Sequence, residues 1–390
     1  MVRWMFHAAS RRSASPAAVR ETPDTTWSTA PAQPAPAAGS ECRPVRARDP
    51  FLDNAKFLTI VLVGMGHAWA PLTSESRAVA ALYIAVYTFH MPAFALISGY
   101  LSRSFQGRPE QVRRLVTGVA VPYVVFEVVY TLFMRQIGEP DRPLSLFSPG
   151  YALWFLCALF VWRLSAPIWR ALRWPLPVAL GIAAAAAATP GIGDELDLMR
   201  VLQFLPFFVL GLQLRPEHFE LVKRPGARAV ALPVLLGAVA VAYWAVPRMN
   251  HEWMLHNRSA QELGSPWWVG VVMTFAVFGC AVLLTACMLA WTPRRTVWFT
   301  ALGAGTVCGY LLHVYPIQLA RQFDWYAFPG AASPTGCAVI TLLAFAMMTV
   351  LCTPAVHRAV RPLVEPRMAW FFDRTPAPRS PERVSTPGAR

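Results

Sequence analysis

Ten apolar stretches separated by short basic loops leave this chain few ways to fold. They run over 55–72, 79–101, 115–134, 151–169, 175–190, 198–214, 229–247, 266–291, 297–319 and 335–357. A helix of about 20 apolar residues matches the roughly 30 Å hydrocarbon core of a bilayer. In that core each backbone polar group must be bonded internally, so a string of such segments predicts an all-α, polytopic integral membrane protein of about ten transmembrane helices. Composition agrees: 55% of the 390 residues are hydrophobic and 14% charged, against about 45–50% and 25% in soluble domains. A soluble globular protein, a disordered chain and a disulfide scaffold are excluded on these figures.

The net charge of +14 suggests nucleic acid in a soluble protein. In a membrane chain it first has to be read as topology, because Lys and Arg collect on cytoplasmic loops. With both termini placed in the cytoplasm, 27 of the 35 Lys and Arg fall inside and seven outside, alternating loop by loop. The sequence therefore predicts both termini cytoplasmic, a multi-pass protein of the plasma or inner membrane, and no nucleic-acid partner. Residues 1–48 and 361–390, rich in Pro, Arg, Ser and Ala, read as cytoplasmic tails, the first disordered and the second largely so. They flank a membrane domain over 49–360. Of the seven cysteines six lie in apolar stretches and no CxxC pair occurs, so packed side chains are expected rather than a metal site.

Ionisable groups at membrane depth mark function by default. Lys56 and His67 in the first segment are eleven residues apart, which brings them to within roughly 20° on one helix face and about 16 Å apart along it. Lys56 then lies near the cytoplasmic headgroups and His67 near or beyond mid-membrane. His90, thirteen residues before Arg103, and Glu127, thirteen after Arg114, reach a similar height, so three consecutive helices can bring His67, His90 and Glu127 together. Gly64 and Gly66 permit a close approach to the first helix, and Pro92 suits a helix broken beside a site. His313 falls nearer the outer face and reads equally well as a helix–helix hydrogen-bond partner. A loop from Pro247 to Pro266, with His251, Glu252, Trp253, His256, Asn257 and Arg258, is a candidate acceptor contact.

The stretch Arg48-Asp49-Pro50-Phe51-Leu52-Asp53-Asn54-Ala55-Lys56 through His67 resembles the opening of the acyltransferase family 3 membrane proteins, in which a basic residue precedes a His by ten intervening positions. Phe89-His90-Met91-Pro92 with Ser98-Gly99-Tyr100 is similar to the second helix of the fucose 4-O-acetylase-like branch. Arg113-Arg114-Leu115 with Val121-Pro122-Tyr123, then Leu153-Trp154-Phe155-Leu156 and Tyr310-Leu311-Leu312-His313, match later landmarks. The resemblance implies transfer of an acyl group, usually acetyl, from cytoplasmic acyl-CoA to a hydroxyl of a carbohydrate or other small acceptor. It makes His67 the expected general base, Glu127 its orienting partner and His90 a second acid/base or an oxyanion donor. Lys56, Arg113 and Arg114 are expected to hold the CoA phosphates, with no metal required. The competing reading is a transporter that uses intramembrane His and Glu without acyl chemistry.

Overall fold

The computed structural model describes residues 49–193, 195–366 and 368; the expected tail at 1–48 and most of that at 361–390 lie outside the described residues, while 361–364, expected as the start of the second tail, complete the last helix. Every regular element among the described residues is helical, in the order α1 (Pro50–Trp69), α2 (Arg77–Leu101), α3 (Pro109–Leu115), α4 (Val121–Ile137), α5 (Trp154–Ala171), α6 (Pro175–Ala187), α7 (Leu198–Gln213), α8 (Pro216–Val222), α9 (Pro225–Ala245), α10 (Trp267–Trp291), α11 (Thr306–Leu312), α12 (Val314–Gln322), α13 (Pro334–Leu351) and α14 (Pro354–Val364). Prolines open α1, α3, α6, α8, α9, α13 and α14, where the missing N–H costs nothing and the fixed φ suits the first turn. Side-chain caps sharpen several starts. The Asp49 carboxylate accepts from the Phe51 N–H at 2.9 Å, and the Ser333 and Thr353 hydroxyls accept from the Gly336 and Val356 amides.

Six helical segments are long and apolar enough to cross a bilayer: Pro50–Leu72, Pro109–Ile137, α2, α9, α10 and α13. The other four expected spans also fold as helices but do not meet that description. Helix α5 carries Arg163 and Arg170, α6 has 13 residues and α7 has 16. The ninth segment divides at His313 into α11 and α12. For α7 the difference has a packing cause. Helix α7 is enclosed by α2, α5 and α6, and a helix wrapped in protein need not match the hydrocarbon thickness with apolar residues of its own. Helices α9, α10 and α13 keep most of their apolar side chains on the outside, as a lipid-facing surface requires.

The tightest helix crossing joins α2 to α7 through Gly99 and Gly211. A Cβ at Gly99 would collide with the Phe208 carbonyl, and one at Gly211 with that of Leu96, so only glycine allows these backbones to touch. Beside the crossing, Trp162 is fully buried and its indole N–H donates to the Val201 carbonyl at 2.9 Å. Trp154 stacks on Phe204 with centroids 5.1 Å apart. Pro92 does not break α2, which runs unbroken from Arg77 to Leu101. Proline removes one bond of the ladder, but α2 is packed by α1, α7, α9 and α10, and that enclosure keeps it helical. The start of α1 is pinned by Asn54, whose amide donates to the Pro293 and Arg295 carbonyls and accepts from the Thr300 hydroxyl at 2.7 Å.

Candidate functional site

Near the His67 end of α1 the helices enclose a cavity of about 230 Å³. His67, His90, Tyr83, Tyr87, Tyr151, Trp154, Arg200 and Arg321 line it. His67 and His90, from α1 and α2, therefore face one space. The His67 Nδ1 lies 3.0 Å from the Tyr151 hydroxyl and 3.2 Å from that of Tyr87. Gly66 makes the second contact possible, because a Cβ there would press on the Tyr87 ring. His90 is 2% exposed, and its Nδ1–H donates to the Val86 carbonyl one turn back, at 2.9 Å. That bond fixes the tautomer and leaves Nε2 as an acceptor.

Glu127 is 1% exposed and does not line this cavity. Its carboxylate accepts from the Gly150 N–H at 2.7 Å. Gly150 precedes Tyr151, whose φ of 49° lies in the left-handed region that side chains other than Gly, Asn and Asp rarely occupy. The Glu127 bond thus holds the turn that delivers the Tyr151 hydroxyl to His67, and Glu127 reaches the imidazole through that loop. His313, at 0% exposure, stands beside His67 with ring centroids 5.2 Å apart. Its Nδ1–H donates to the Tyr310 carbonyl at 2.7 Å, while its buried Nε2 has no partner.

Lys56 lies at the other end of α1, in an ion pair with Asp53 at 2.7 Å. It lines a second cavity of about 190 Å³ that includes Arg163, Ser98 and Tyr310. Met91 and Tyr310 belong to the walls of both cavities, so they separate the Lys56 space from the His67 space. Arg163 also lines a third, shallower recess with Arg114, Gln111, Ser102 and Ser104. Its Nε donates to the Ser102 hydroxyl at 3.1 Å. Arg113 lines none of the three. Lys56, Arg163 and Arg114 therefore follow one another along a line of recesses leading toward His67.

The loop after α9 contributes Met254 and Leu255 to the His67 cavity rather than its polar residues. Glu252 pairs with Arg258 at 3.2 Å. His256 is 6% exposed and meets the Gln203 carbonyl oxygen at 2.9 Å. Burial, with the nearby Arg200 charge adding, pushes its imidazole down to about 4, so it packs as a neutral ring. Sequence reasoning missed Tyr87, Tyr151 and Arg163 as site residues. Tyr87 had a signal, since it precedes His90 by three positions on one helix face, whereas Tyr151 had none. Among the described residues no group of three or more His, Cys, Asp or Glu side chains is placed to hold a metal ion.

Fold and cavities together define a helical membrane protein with two imidazoles facing a cavity between its helices. The family model described as an acyltransferase domain matches residues 49–357, most of the chain, and the protein belongs to acyltransferase family 3. No curated protein and no solved structure matches it.

Proposed function

We propose that this acyltransferase moves an acetyl group from cytoplasmic acetyl-CoA to a hydroxyl of a carbohydrate or other small acceptor, in the cell membrane. The observation that carries this reading is His67 on the cavity wall with its Nδ1 held by two tyrosine hydroxyls. In the tautomer whose Nδ1–H donates to the Tyr151 oxygen, Nε2 is the free base, and the two hydroxyls hold the ring's orientation, the positioning part of what a carboxylate does in a hydrolase triad. The acceptor hydroxyl loses its proton to Nε2 as its oxygen bonds to the thioester carbonyl carbon. The C–S bond then breaks, and the departing CoA sulfur takes the proton back from the imidazolium.

The tautomer of His90 favours a second acid/base role over that of oxyanion donor, because its only neutral N–H is already given to Val86. Tyrosine hydroxyls and the guanidinium groups of Arg200 and Arg321 line the same wall as donors for a developing oxyanion. Lys56 and Arg114, joined by Arg163, line the recesses at the opposite end, and their charges suit the CoA phosphates with the acyl arm pointing at His67. Arg113 would act from outside these recesses. Phe89-His90-Met91-Pro92, with His90 on the cavity wall, supports the fucose 4-O-acetylase-like branch.

The test is CoA release from acetyl-CoA by the purified protein and by His67→Ala, with and without an extract of cell glycans and small metabolites. Extract-stimulated release that falls about 10²–10⁴-fold in the variant is expected of a lost general base. Release that persists in the variant removes His67 from that role. A wild-type protein that neither binds nor consumes acetyl-CoA overturns the donor assignment.

A further inference from the structure

The His67 cavity has an uneven charge balance. No acidic side chain lines it, while Arg200 and Arg321 both do. Arg200 is accounted for within the protein: its Nη1 pairs with Asp197 at 2.7 Å and its Nε donates to the Leu255 carbonyl at 3.2 Å. Arg321 is not. No ion pair to a carboxylate is made by Arg321 among the described residues, and its Nε is buried without a hydrogen-bond partner. Its guanidinium instead lies 5.9 Å from the centroid of the Tyr151 ring, and the hydroxyl of that ring holds His67.

A guanidinium with a buried, unbonded N–H is costly unless something supplies the missing acceptor. Here it is poised on the wall of the space in which an acceptor hydroxyl would meet His67. Arginine's planar fork matches the oxygens of a carboxylate or phosphate. Tyr83, Tyr87 and Trp154 line the same cavity and give the wall beside the guanidinium an apolar, aromatic surface. Resting on the acyl-transfer reading above, we infer that the acceptor carries an anionic group, carboxylate or phosphate, near its reacting hydroxyl, and that Arg321 binds that group.

The experiment gives the full-length protein labelled acetyl-CoA and a cell glycan and metabolite extract separated by anion exchange into neutral and anionic fractions. Label is expected in the anionic fraction. Loss of its retention on the exchanger after phosphatase treatment identifies a phosphate monoester, and loss after carbodiimide coupling to a neutral amine identifies a carboxylate. Arg321→Gln should raise KM for the anionic fraction about tenfold or more, the loss of one charge-assisted interaction, with the effect on KM rather than kcat. Arg321→Lys, which keeps the charge, should restore part of that affinity. Equal labelling of the neutral fraction overturns the inference while leaving an acyltransferase. So does a loss in Arg321→Gln confined to kcat, which would place Arg321 in the chemistry instead. Absence of both label and CoA release in every fraction overturns the acyl-transfer reading itself, and the inference falls with it.

Discussion

A single imidazole becomes useful through what touches its other nitrogen, and at His67 that is a pair of phenols rather than a carboxylate. Tyr151 makes the shorter contact, 3.0 Å, from a backbone conformation that its side chain alone would not choose. The Glu127 carboxylate maintains that conformation by binding the preceding amide. Tyr151→Phe removes the hydroxyl without altering the fold around it. The expected result is a kcat about 10- to 100-fold lower, the order of loss that follows when a catalytic group is no longer held in its reactive orientation, with thermal stability near wild type. Steady-state rates at saturating acetyl-CoA check it, and an unchanged kcat would show that Tyr87 alone suffices.

Helix α2 carries more of the site than any other element, and its position depends on residues that do no chemistry. It brings Tyr83, Tyr87, His90 and Met91 to the cavity, yet its distance from α7 is set by the Gly99–Gly211 crossing. Gly99→Leu places a side chain against the Phe208 carbonyl. The crossing must then open, at a cost of about 3 kcal/mol or more, and the melting temperature and activity should fall together. A variant as stable as wild type would mean that α2 and α7 separate easily. The proline in the middle of α2 shows the converse effect. Pro92 reads in sequence as a break, but four packed neighbours hold the helix through it.

Across the whole molecule the cavities are arranged in series. The Arg114 recess shares Arg163 with the Lys56 cavity, which shares Met91 and Tyr310 with the His67 cavity. The acyl-CoA donor proposed above would lie along this series, with its phosphates at one end and the reactive thioester at the other. Arg163 stands at the first junction, so Arg163→Gln should raise KM for acetyl-CoA about tenfold and leave the choice of acceptor unchanged. Titrating acetyl-CoA at fixed acceptor measures this, and an unaltered KM would move the donor path elsewhere.

Much of this was legible in the chain itself. Hydropathy and basic loops identify an all-helical membrane protein, because an apolar segment in lipid has no backbone alternative to the helix. The eleven-residue interval puts Lys56 and His67 on one helix face, since helical periodicity is local and needs no partner. Tyr151, Arg163 and Arg321 were not legible as site residues. They act from a strained turn, the interior of α5 and the end of α12, and they meet His67 or Lys56 only after elements distant in sequence have packed. Local sequence fixes the direction a side chain takes from its own helix. The tertiary structure alone decides what stands opposite it, because that depends on where helices cross and on glycines that let them approach.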